Sequence, residues 1–244
     1  MRLIIDASAA VNQGAGIGRY ARMLVPSMAR QLEGSDVTAL VAPDVNADPG
    51  AGVPPVSPQA QAAGLLDVRT VVPDAVLDLR YATANNFVGA QLYPADARCL
   101  VHESMAPGLA AAAAALRAQG EKLVFWDCYR PHEVQVRMFE AVPNPAWVAK
   151  PGPYSRSHEA GRSVDVTIVD AAGRPVDMGT DFDDFSARAT AYATDGVSAA
   201  AQANRARLRT AMAAGGLAVY SGEWWHFDGP GAGVQRPIID VPVD

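Results

Sequence analysis

The chain has 244 residues, 50% of them hydrophobic, which is enough for one sizeable core plus a smaller appendage. The 20 Lys and Arg against 26 Asp and Glu give a net charge of −6 with no basic stripe, which argues against a nucleic-acid partner. No apolar run approaches the roughly 20 residues that span a bilayer. The opening MRLIIDASAAVNQ has one Arg and an apolar run broken by Asp6, a poor signal peptide, so the expected location is the cytoplasm.

Residues 2–7, RLIIDA, read as a buried strand. After the loop NQGAGIG, residues 18–33 read as an amphipathic helix with Tyr20, Met23, Leu24 and Met28 along one side, and 36–43, DVTALVAP, as a second strand. This is a βαβ start. Gly16-x-Gly18-x-x-Ala21 matches the dinucleotide fingerprint formally, but it does not directly follow the strand, and Asp36 opens strand two instead of closing it. The strand ending in Asp-Ala and the G-I-G-R-Y helix start resemble the N-terminus of family-4-type glycosyltransferases. That resemblance stops near residue 43, and the sugar-nucleotide half has no counterpart, so transferase activity is not expected. Residues 44–65, rich in Pro, Ala and Gly without a period, read as a linker.

From residue 66 the texture changes. Residues 77–87, LDLRYATANNF, read as a strand and a polar turn. Residues 105–119 read as an Ala-rich helix stopped by Gly120. KLVFWDCYRP, 122–131, reads as a strand that delivers Asp127 and Arg130 to its end; an Arg there, beside a proline, could simply cap a surface. His132 reads as an exposed helix start and His102 as structural. The Pro-rich loop 142–153 suits the wall of a cleft. Residues 196–214 read as a long helix with Ser198 as N-cap, Gly215-Gly216 as its stop and its Arg residues in solvent. Residues 217–226 read as the last strand.

The chemistry sits in YSRSHEAGRSVDVTIVD, 154–170, and GEWWHFD, 222–228. In the first, Val164, Val166 and Ile168 fall on one face of a strand and Ser163, Asp165 and Thr167 on the other. A carboxylate among small polar residues, on a strand whose reverse is apolar, is placed to line a site. His158, Asp165 and His226 supply three ligands, the number with which a catalytic zinc keeps a fourth position open. Glu223 can act beside it as general base. The stretch reads as a zinc hydrolase. There is no H-E-x-x-H, no G-x-S-x-G and no phosphate-binding Gly-rich loop to suggest other chemistry.

S-x-x-H-x-x-G-x-x-x-D followed by E-W-W-H resembles the D-alanyl-D-alanine dipeptidases of the zinc D,D-peptidase group, over about residues 66–244. The departures are Arg156, where relatives usually have Ser, and Ser163 in place of a common Ala. The resemblance implies an α+β fold, a mostly antiparallel sheet with packed helices carrying one zinc on one face, as in the D,D-peptidase and Hedgehog-like proteins. It implies His158, Asp165 and His226 as zinc ligands and Glu223 as base. D-C-Y-R-P implies Arg130 as oxyanion stabiliser, oriented by Asp127. M-G-T-D-F-D implies Asp183 as anchor of the dipeptide's ammonium, although residues 181–184 taken alone read as a solvated acidic loop. R-Y-A-T-x-x-N-F implies Tyr81 as a substrate contact, a residue as easily read as packing, and Ser157 is a further candidate contact. Cys99 and Cys128 stay open between two reduced core thiols and one disulfide, the pairing that the resemblance to secreted relatives implies; the second state would make the catalytic part descend from an exported form.

The implied reaction is hydrolysis of D-Ala-D-Ala to two D-alanines. Alternatives are a D,D-carboxypeptidase or peptidoglycan endopeptidase, a non-catalytic cell-wall-binding module, and a glycosyltransferase fragment. The expected organisation is a partial βαβ segment, 1–43, a linker, 44–65, and the peptidase domain, 66–244.

Overall fold

The computed structural model describes the backbone of residues 2–6 and 36–40 and all of residues 52–243. The chain divides into two units, Met1–Val53 and Pro54–Asp244. In the first, β1 (Arg2–Asp6) and β2 (Asp36–Leu40) pair in parallel, Arg2 opposite Asp36. The helix expected over 18–33 lies outside the described residues.

The second unit is α+β. Its main sheet has five strands in the order β4 (Val76–Leu77), β6 (Lys122–Asp127), β7 (Ser163–Val169), β9 (His226–Asp228) and β8 (Ala218–Val219). All its pairings are antiparallel except β4 with β6. A separate antiparallel pair joins β3 (Leu65–Asp67) to β5 (Leu100–His102). Three longer helices accompany them: α2 (Ala106–Arg117), α3 (His132–Ala141) and α4 (Ala199–Ala214). A short α1 (Pro58–Ala62) precedes β3. Among the described residues no helix is long and apolar enough to cross a membrane.

The helices form for the reasons their sequences give. In α2, Leu109, Ala112, Ala113 and Leu116 are buried, the i, i+3, i+4, i+7 stripe of a core-facing helix. Beyond it, Glu121 N–H returns to the Leu116 carbonyl across Gly120, closing the helix where the glycine is placed. The Ser198 side chain caps α4 by accepting from Ala201 N–H. All seven residues of β7 are buried, since β6 and β9 flank it and both its faces are covered.

Five expectations are corrected. The run 44–65 is not linker throughout: Ser57 caps α1, Pro58 stands in its first turn and β3 starts at Leu65, local signals that bulk composition hides. Of residues 77–87, expected as a strand and then a polar turn, the strand part is short: only Leu77 pairs, together with Val76 before it. The chain then coils through a 3₁₀ turn, Arg80–Ala82, where the Tyr81 carbonyl accepts from Leu92 and Tyr93 N–H. The last strand is a hairpin, β8 and β9, whose connecting turn carries Glu223. Arg205 does not face solvent; it is 1% exposed on the buried side of α4. His132 does start a helix, but it is not free in solvent: its Nδ1 lies 2.6 Å from Glu159 Oε1.

Candidate metal centre and cavity

Sheet register assembles most of the site. At the middle of β7, Asp165 faces Asp127 at the end of β6 on one side and His226 at the start of β9 on the other. His158 comes from a 3₁₀ turn, Ser157–Ala160, just before β7, and Gly161 ends that turn at φ +63°. A Cβ at Gly161 would stand 2.6 Å from Leu65 Cδ2, so glycine is required there for both conformation and space. Arg130 N–H donates to the His158 carbonyl and ties the turn to the end of β6.

His158, Asp165 and His226 each turn one ligand atom to a common point. His158 Nε2 lies 3.0 Å from His226 Nδ1 and 3.3 Å from Asp165 Oδ1, and His226 Nδ1 lies 3.0 Å from Asp165 Oδ1. The other ring nitrogens fix the tautomers. His158 Nδ1 is 2.8 Å from the Cys128 carbonyl, which can only accept, so Nδ1 carries the hydrogen and Nε2 presents its lone pair. His226 Nε2 is 3.1 Å from Asp228 Oδ1, and the same logic leaves Nδ1 free. Three electron-pair donors thus converge with nothing positive between them, an arrangement that calls for a cation. The electrostatics show the same demand for positive charge, which a proton on the His226 ring can also meet. Burial opposes a charged His226 ring, but hydrogen bonds to Asp165 and Asp228 outweigh it and lift the ring to about 10. Burial raises Asp165, while the charge and hydrogen bonds of His158 and His226 outweigh it and hold the carboxyl below the usual range. The residues fit a divalent metal.

Glu223 stands beside this trio, Oε2 3.9 Å from His226 Nδ1. Burial pushes its carboxyl up; the imidazoles oppose that and Asp165 adds to it. Across the site, Arg130 is fixed by two bonds to Asp127 Oδ2, at 3.0 and 2.6 Å, and one to Gln135 Oε1 at 2.6 Å. The other Asp127 oxygen accepts from Tyr93 O–H at 2.7 Å and from Cys128 N–H. Burial alone would lower the Arg130 guanidinium, but the surrounding groups, Asp127 first and then Tyr81, Tyr93 and Asp165, together outweigh it and hold it well above its ordinary value.

Asp183 closes the far side. The Tyr81 hydroxyl donates to it at 3.2 Å, and burial, with Asp165 adding, raises its carboxyl to about 8. Its φ of +57° is left-handed, a conformation that costs a residue with a Cβ about 1–3 kcal/mol and persists only when the surroundings impose it. Ser157 lines the same cavity at φ +51°, its Oγ donating to Ser163 Oγ at 2.9 Å. The cavity has a volume of about 750 Å³; Trp147 and Phe185, stacked at 5.1 Å, stand on its wall. Every predicted metal, catalytic and substrate-contact residue therefore lies in one cavity, except Asp127, which is fully buried behind Arg130. Cys99 and Cys128 are joined as a disulfide, Cα atoms 5.2 Å apart, next to the carbonyl that orients His158.

Three participants escaped the sequence reading. Gln135 and Tyr93 hold the Arg130–Asp127 pair from a helix and a loop, and no local pattern marks them. Asp228 was legible: it lies two residues past His226 on a strand, hence on the same face. Its Oδ1 also accepts from Ser163 Oγ, at 2.5 Å. Ser163, which departs from the common Ala, thereby supports the partner of His226.

The family model of the D-Ala-D-Ala dipeptidases matches residues 61–244. The chain belongs to this family. Three curated relatives match across most of their length. A D-alanyl-D-alanine dipeptidase of Escherichia coli is 38% identical over 176 residues, covering 72% of this chain and 90% of the relative. One of Enterococcus faecium is 29% identical over 185 residues, covering 68% and 91%. One of Streptomyces coelicolor is 29% identical over 170 residues, covering 62% and 83%. The chain is thus a peptidase, and the matched segment contains every site residue described above. The matched segment begins inside α1, at Gln61, within the run the sequence reading had left as linker.

Proposed function

We propose that this chain hydrolyses the dipeptide D-Ala-D-Ala to two D-alanines, with one zinc held by His158, Asp165 and His226. The reading is carried by the convergence of those three donors. Tetrahedral zinc with bonds of about 2.0–2.1 Å spaces its ligand atoms about 3.3 Å apart. The observed separations are 3.0, 3.0 and 3.3 Å. The expected structural companions are also present, an acceptor on the outer nitrogen of each imidazole. Bound there, zinc supplies Lewis-acid polarisation of the scissile carbonyl and a lowered pKa for water.

The protein's own groups divide the remaining work. Glu223 takes the proton of the attacking water and returns one to the leaving amine; burial raises its carboxyl above the ordinary value, the direction that favours the return. Arg130, held rigid by Asp127 and Gln135, stabilises the oxygen that gains charge in the transition state. Asp183 pairs with the free ammonium of the substrate, whose positive charge draws the carboxyl back to its anionic form, and Tyr81 fixes its orientation. Ser157 commits its hydrogen to Ser163 and so meets the substrate as an acceptor.

Asp183 is what makes the activity a dipeptidase. Blocking the substrate amine would leave a buried carboxylate without its partner, a loss that sites built around a polar match penalise heavily. D-alanine release from D-Ala-D-Ala should therefore exceed release from N-acetyl-D-Ala-D-Ala by about 10²-fold or more. Equal rates would contradict the dipeptidase reading and point to a D,D-carboxypeptidase or endopeptidase.

A further inference from the structure

We propose that Arg205, buried on α4 and not among the residues that line the cavity, is a positioning residue for substrate binding: it fixes the loop that presents Asp183 and couples it to the segment that carries Glu223. The inference rests on Asp183 as the ammonium anchor.

Arg205 is fully buried, and its guanidinium donates to three backbone carbonyls and, from Nη2, to Thr180 Oγ1 at 3.5 Å. Nε donates to the Met178 carbonyl at 2.7 Å, and Nη1 to the Arg188 carbonyl at 2.8 Å and the Thr190 carbonyl at 3.3 Å. Met178 precedes Asp183 and the other two follow it, so one side chain grips both ends of the loop. The guanidinium also lies over the Trp224 ring, 5.5 Å from its centre. Trp224 Nε1 donates to Thr180 Oγ1 at 2.7 Å, and its backbone N–H donates to the Ala189 carbonyl. Trp224 is the neighbour of Glu223. One cation therefore links the acid that would hold the substrate to the acid that would move the proton.

Among the described residues no carboxylate pairs with Arg205. Burying a cation without a counter-ion is costly, and an apolar side chain of similar size would usually stabilise a helix interior better. What an apolar side chain cannot do is bridge carbonyls from opposite ends of a loop; the fixed fork of a guanidinium can. The loop comes close enough because Gly179 has no side chain: a Cβ there would stand 3.1 Å from Ala201 Cβ and from Val197 Cγ1. Asp183, in its left-handed conformation, hangs between the gripped ends. A residue so placed keeps its conformation only while its flanks are held.

The test is a double-mutant cycle on the full zinc-loaded chain, using Arg205→Lys, Arg205→Met, Asp183→Ala and the Arg205→Met/Asp183→Ala pair. Each Arg205 variant should raise KM for D-Ala-D-Ala about tenfold with kcat within about threefold of the parent. Zinc affinity, measured by chelator competition, should be unchanged. In the Asp183→Ala background, Arg205→Met should add almost nothing, because both act through one carboxylate. Arg205→Lys keeps the charge and fits the space, so it reads the same effect if Arg205→Met folds poorly. A KM unchanged in both Arg205 variants while Asp183→Ala raises it, or effects that multiply in the pair, would overturn the positioning role and leave the anchor standing. A KM unchanged by Asp183→Ala would overturn the anchor and this inference together.

Discussion

Replacing Glu223 with alanine is expected to leave zinc stoichiometry at one per chain and to lower kcat by about 10²–10⁴-fold, the usual contribution of a positioned general base. The two halves of that expectation have separate structural causes. Glu223 sits on the turn between β8 and β9, stands 3.9 Å from His226 Nδ1 and is not one of the three converging donors, so its removal leaves His158, Asp165 and His226 converging as before. Burial pushes its carboxyl above the ordinary carboxylate value, the direction that favours returning a proton to the leaving amine. Metal analysis with single-turnover kinetics checks both parts. Wild-type turnover would remove Glu223 from the mechanism, whereas loss of zinc along with activity would make it a ligand. Glu223→Gln, which keeps volume and polarity, should behave like alanine.

Arg130→Ala should cost about 10²–10³-fold in kcat, the range for removing a donor aimed at developing negative charge. Arg130→Lys should recover little of it. The guanidinium reaches Asp127 through two nitrogens and Gln135 through a third, a planar fork that one ammonium cannot reproduce. Both variants should also lower Tm, since Asp127 is completely buried and would lose its main cationic partner. The informative quantity is therefore kcat per folded molecule, with the folded fraction taken from a thermal scan. A kcat that follows the folded fraction alone would make Arg130 a structural cation and nothing more.

What could be read from the sequence, and what could not, divides along physical lines. The alternation of 163–169 marks β7 and its polar face, because a period of two survives any tertiary context in which one face is apolar. The helices α2 and α4 were legible from alanine-rich runs, a capping serine and stopping glycines, whereas α3 was marked only at its start. Cross-strand register was not legible: that Asp165 faces both Asp127 and His226 depends on a bulge near the end of β6 and on the hairpin before β9. The hairpin itself was hidden, since 217–226 has apolar residues at both ends and its turn lacks a strong two-residue turn signal. Arg205 was misread because charge predicts exposure, and only the loop that folds over α4 explains its burial. Asp183 shows the opposite case. A run of acids usually means solvent, and the resemblance of M-G-T-D-F-D to known dipeptidases, not the residue pattern, singled it out.

The central claim is a metal-dependent hydrolysis of D-Ala-D-Ala in this cavity. It is tested most directly by D-alanine release from D-Ala-D-Ala by the purified full chain, before chelation, after removal of bound metal with a chelator, and after zinc is returned. The account predicts release that falls to background on chelation and returns with about one zinc per chain. Release that continues undiminished in metal-free protein would contradict it.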